Sequence, residues 1–124
     1  MNWILVALGG GLGAISRYGI TLIAENYFKS NLISIFLINI FGSLILGIFI
    51  GYSLNKENFS SDFNLFIGIG FLASFTTFST ITVNTIQLIT EGEYLKAGIN
   101  IFSTILLGLF AAFAGLYFGK IITP

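Results

Sequence analysis

The sequence predicts an all-α integral membrane protein: four transmembrane helices with a break in the third, assembled as an antiparallel dual-topology homodimer. Three observations lead there. The composition, 56% hydrophobic and 8% charged over 124 residues with a mean hydropathy of +0.98, suits hydrocarbon better than water. The charges gather in three short zones, Glu25 to Lys29, Lys56 to Asp62 and Glu91 to Lys96, which cut the chain into four apolar segments. The stretch from Gly70 to Ile81 then sets a hydroxyl cluster in the middle of one of those segments.

The first span is expected near residues 2–24. It starts at Met1-Asn2-Trp3 without a basic n-region and offers no convincing cleavage site, so it reads as a retained span rather than a signal peptide. Gly9 and Gly13 lie at helix-contact spacing, and the run Gly9-Gly10-Gly11-Leu12-Gly13 reads as packing, because no strand precedes it to make a nucleotide loop. The second span, near 31–54, carries Asn39 at its middle and the small-residue row Ser43, Gly47, Gly51. The third, near 64–90, holds Thr76, Thr77, Ser79, Thr80, Thr82, Asn84 and Thr85, whose side chains compete with the helix for backbone carbonyls and predict a local break. The fourth, near 96–120, repeats the small-residue row with Ala111, Gly115 and Gly119. Each span reaches the roughly 20 residues needed to cross about 30 Å of hydrocarbon, and together they make one domain, 1–124. The single proline, Pro124, interrupts none of them.

With four spans the termini share a side with the second loop. That side receives Lys56 and Lys120, and the other side Lys29 and Lys96, a tie of two against two that Arg17, inside the first span but nearer the first loop, tips only weakly. The tie removes the bias that normally fixes orientation, and predicts insertion both ways with an antiparallel dimer as the simplest closed assembly.

Absent residue types narrow the chemistry. There is no Cys and no His, which argues against a thiolate or imidazole metal centre. Five basic and five acidic residues leave no basic stripe, so no nucleic-acid partner is expected. No nucleophile stands beside a base and no carboxylate pair lies within a span, so the chain is not expected to be an enzyme.

Polar groups in the spans carry the functional reading. Arg17 lies within the first span, where a basic residue costs at least about 2.5 kcal/mol unless it snorkels or is paired. It is expected either at a vestibule, attracting anions, or bonded to helix-end carbonyls. Asn39 offers two N–H donors without a charge, to an anion or to a neighbouring helix. Uncharged donors point to an anion or neutral solute rather than a cation held by carboxylates. Phe75 and Phe78 interleave with the hydroxyls, and a ring edge carries the positive side of its quadrupole.

Taken together, Gly10 to Tyr18 (GGLGAISRY), Asn39-Ile40-Phe41-Gly42 and the GFLASFTTFST run resemble the Fluc fluoride channels, also called the CrcB family, over essentially the whole chain. The resemblance implies a dual-topology homodimer with two fluoride pores and a Na⁺ at the dimer centre, passively exporting cytoplasmic fluoride across a prokaryotic plasma or inner membrane. By motif position it implies Asn39, Phe78, Ser79, Thr80 and Ile81 along the fluoride pathway, and Na⁺ held by the backbone carbonyls of Ala73 and Thr76. Three positions depart from the family pattern: Ala73 where Gly is usual, Ile81 where the second Phe of an aromatic pair is expected, and Asn84 where many members carry Glu. If a second ring is needed, Phe75 or Phe102 would have to supply it. The competing readings are a small multidrug-type proton-coupled antiporter, which would need a membrane carboxylate this chain lacks, and a non-transporting membrane scaffold.

Overall fold

The computed structural model describes residues 1–123, and these are helical apart from short connections. Helix α1 runs Asn2–Phe28 and α2 runs Asn31–Leu54. The third span begins with α3, Ser61–Phe63, continues as a π-helical segment, Asn64–Leu72, and ends its first half in α4, Ala73–Phe75. Its second half is α5, Ser79–Thr90, and α6, Tyr94–Ile121, closes the chain. Among the described residues, four helical stretches are long and apolar enough to cross a membrane: Asn2–Phe28, Asn31–Leu54, Ser61–Thr90 and Tyr94–Ile121.

Three of the four spans outrun their apolar segments, and α2 coincides with its own. Helix α1 continues through Glu25 to Phe28 because a charge at a water-facing end costs a helix nothing; it stops where Lys29 turns left-handed, φ 57°, and returns its N–H to the Glu25 carbonyl. Ser30 then caps α2 by accepting from the Ile33 N–H at 3.4 Å, and Ser60 caps α3 through the Phe63 N–H at 3.3 Å. Gly92, φ 77°, makes the turn into α6.

Glycine decides which helices meet closely. A Cβ on Gly47 would lie 2.5 Å from the Ala112 carbonyl oxygen, and one on Gly51 would lie 2.2 Å from that of Leu116. The reverse holds for Gly115 and Gly119 against the carbonyls of Leu44 and Ile48, so α2 and α6 touch backbone to backbone along two facing rows. Helix α1 does the same against the π-helical segment, Gly9 meeting Phe66 and Gly70 and Gly13 meeting Phe71. Ser43 and Ala111 stand outside these tightest contacts; Ser43 lines a groove instead. Helix α5 packs on α6 and α2 through buried Ile81 and Leu88 and is tied to them by polar side chains, Thr85 to Asn100 and Asn84 to Asn31.

The chain leaves much apolar surface outward, including Phe102, Phe110, Phe113 and Tyr117 on α6, as a membrane-embedded helix does.

Candidate functional site

Helical hydrogen bonding stops at Phe75, at the centre of the third span. Thr76 takes extended backbone, φ −86° and ψ 162°, and helix resumes only at Ser79. Such a stretch frees main-chain groups that hydrocarbon cannot satisfy, and three of them are met by side chains. The Thr77 N–H donates to Asn39 Oδ1 at 2.8 Å, and Arg17 Nη1 donates to the Thr76 carbonyl at 3.1 Å. The Ala73 carbonyl accepts from the Thr76 hydroxyl at 3.2 Å. Gly42 makes this geometry possible: a Cβ there would sit 2.4 Å from the Thr76 methyl.

Asn39 is buried, and its orientation follows from its partners. A backbone N–H can only donate, so the atom facing Thr77 is the carbonyl oxygen and the NH₂ lies on the other side. That NH₂ donates once, to the Ile35 carbonyl at 3.0 Å, leaving one N–H. A groove of about 200 Å³ opens beside it, lined by Asn39, Ser43, Thr76, Thr77, Phe78, Ile81, Thr104, Ile105 and Gly108. No charged side chain is among them. The start of α5 faces the same region, with the partial positive charge of a helix N-terminus.

Of the site residues singled out by sequence, Asn39, Thr76, Phe78 and Ile81 line the groove directly. Ser79 and Thr80 reach it through Thr77, whose hydroxyl lies 3.3 Å from Ser79 Oγ and 3.1 Å from Thr80 Oγ1, and which also accepts from the Thr80 N–H at 3.4 Å. Thr77 is thus the hub of the cluster. It was legible as one hydroxyl among six, and nothing in the sequence marked it as the one facing Asn39. Thr104 on α6 was likewise hidden, for want of a motif; its helix contributes a second polar tie, Asn100 Nδ2 to Thr85 Oγ1 at 2.9 Å. Arg17 meets a main-chain carbonyl rather than a carboxylate.

The aromatic side chains divide. Phe78 is 67% exposed in the protomer and free to present its edge. Phe75 is buried, stacked on Phe71 with ring centroids 6.2 Å apart and an interplanar angle of 8°, and Phe102 points outward from α6, so neither supplies a second ring beside Phe78 within one chain. Ile81, buried at 4% exposure, fills that place with an aliphatic wall. At one end of the bundle Asn84 donates to Asn31 at 3.0 Å and Asn31 to the Glu25 carboxylate, beside a polar depression lined by Asn31, Asn84, Gln87 and Glu91.

Fold and site define a multi-pass protein of the cell membrane, with a neutral polar site at mid-depth in its third span. Sequence comparison gives the lineage. The family model described as "CrcB-like protein, Camphor Resistance (CrcB)" matches residues 4–116, and the chain belongs to that family. It is 39% identical to the "Fluoride-specific ion channel FluC" of Shewanella baltica (strain OS155 / ATCC BAA-1091), with 97% of this chain and 98% of that protein covered. Proteins of the same description from Thermosipho melanesiensis, at 34% identity over 97% of both chains, and Francisella philomiragia, at 37% over 93% and 92%, are similarly alike.

Proposed function

We propose that this protein is a fluoride-selective passive channel that lets cytoplasmic fluoride leave the cell, relieving its toxicity. The observation that carries the reading is the groove at mid-membrane depth whose donors are all neutral: the free Asn39 N–H, the Thr77 cluster and the N-terminus of α5. Fluoride is small and strongly hydrated. A pore selective for it must replace its water with close donors while avoiding a fixed charge that would hold the ion too tightly. Phe78 adds a ring edge to the path. The relatives described as fluoride-specific ion channels give the ion its name. They also speak against an enzyme.

The assembly that fits is an antiparallel homodimer. In the protomer the groove stands open beside the exposed Phe78, and a second copy would wall it off from lipid. The near-tied Lys and Arg count allows both orientations to insert. At the centre of such a dimer, Na⁺ would be held by the carbonyls of Ala73 and Thr76 from both copies. The donor set fits a hard cation. Thr77 N–H, which would serve the Ala73 carbonyl in a continuous helix, goes to Asn39, and each of the two carbonyls keeps a lone pair beyond its one side-chain partner. The ion would supply positive charge and cross-linking there.

The acidic residues, Glu25, Glu57, Asp62, Glu91 and Glu93, stand in the loops or the end turns of helices, so a proton-coupled antiporter has no mid-membrane carboxylate to use. The test is efflux from proteoliposomes, followed with a fluoride electrode, with chloride measured in parallel and a K⁺ shunt clamping the voltage. Rapid fluoride efflux without chloride efflux is expected. Correctly folded protein that releases no fluoride would overturn the reading.

A further inference from the structure

The peptide group between Thr76 and Thr77 is gripped from both ends. Its carbonyl accepts from Arg17 of α1, and its N–H donates to Asn39 of α2. We propose that Arg17 is a positioning residue for anion recognition: through this one peptide group it fixes which way the Asn39 amide points. The inference rests on the channel reading above.

The argument runs along the bonds. Asn39 has two amide orientations that differ by exchanging oxygen and NH₂. One presents an N–H toward the groove and suits an anion; the other presents an oxygen and repels it. Two partners make the choice: the Thr77 N–H demands the oxygen on its own side, and the Ile35 carbonyl demands an N–H on the other. That N–H is available because Thr76 is extended, and an extended residue at the centre of a span persists only while its exposed carbonyl is satisfied. Within the chain Arg17 supplies its charged donor, on one lone pair, leaving the other for the ion proposed above. A guanidinium on the carbonyl also polarises the peptide, making its N–H a stronger donor to Asn39. Arg17 itself is not among the residues lining the groove, so its influence passes through the backbone rather than through contact with the ion.

Throughput and hydrogen exchange together test this. Arg17→Met, which keeps the apolar stem and removes the donors, should lower fluoride efflux by about tenfold or more, the order expected for one charge-assisted hydrogen bond. The deficit should persist at high salt, because a direct bond is not screened as long-range attraction is. The Thr77 amide should exchange faster in detergent-solubilised Arg17→Met, and Arg17→Lys should restore both properties in large part. Combined with Asn39→Ala, Arg17→Met should add no further loss. Wild-type efflux in Arg17→Met, a deficit that high salt abolishes, an unchanged Thr77 exchange rate, or additive losses would each overturn the proposal. If Arg17→Met does not fold, Arg17→Lys is read alone: any change in efflux must come with a matching change in Thr77 exchange, and a change in one alone overturns it. Wild-type protein that passes no fluoride would sink the channel reading instead, while Thr77 exchange would still report on the clamp.

Discussion

Asn39 commits its oxygen and one of its two N–H donors to the protein, so a single N–H remains to meet an ion. Asn39→Asp is therefore an informative substitution. The carboxylate keeps an acceptor for the Thr77 N–H, so the local backbone should hold, while both donors vanish and a negative charge enters the path. A charge at mid-membrane costs about 2.5 to 3.5 kcal/mol, and we expect fluoride efflux to fall roughly a hundredfold or more, read in the same proteoliposome assay. Wild-type efflux from this variant would mean the ion passes elsewhere. Asn39 itself was readable from sequence, as an amide in an apolar span, but its orientation was not, because that depends on a backbone donor 38 residues away. Ile81 teaches the converse: the sequence marked it as an irregularity in a pattern of rings, and the structure gives it an ordinary place, buried against the groove wall.

At the scale of helices, stability rests on the two glycine seams. Gly47→Leu would drive a side chain into the Ala112 carbonyl and the Leu116 N–H of α6, main-chain atoms that cannot step aside. Such overpacking costs about 1 to 3 kcal/mol, and we expect a lower thermal midpoint in detergent. Gly11→Ala, with nothing within 4 Å of its would-be Cβ, should leave the midpoint unchanged and serves as the control. These seams were legible because small residues three and four apart have one strong physical use in a membrane helix. The extents of the spans were legible to a few residues, α2 coinciding with its apolar segment and the others running past theirs into polar ends. The π-helical stretch Asn64–Leu72 was not legible: its wider turn is not written in apolar periodicity, and Leu and Ile fill it as they would an α-helix.

For the whole molecule, the near-tied charges make orientation an experimental variable. Glu57→Lys with Lys96→Ala weights the side of the termini, and Asn26→Lys with Lys120→Ala weights the other. If function requires antiparallel partners, each double variant expressed alone should lose most fluoride efflux, and co-expression should restore it. Full efflux from either variant alone, with its single orientation verified by labelling, would exclude an obligate antiparallel dimer. Sodium offers a second handle. Purification with verified removal of Na⁺ should lower the thermal midpoint of the dimer, and an unchanged midpoint would count against a structural ion at Ala73 and Thr76.

The extended turn at Thr76 rests on Gly42 of the neighbouring helix, whose missing Cβ leaves room for the Thr76 methyl. Groups that act through main-chain atoms leave no signature in their own side chains, so the ion site proposed at Ala73 and Thr76 is not written in those two residues. Its trace lies instead in the small residue packed beside the break. A search for main-chain ion sites would do better to look for a glycine one helix away than for any ligand motif.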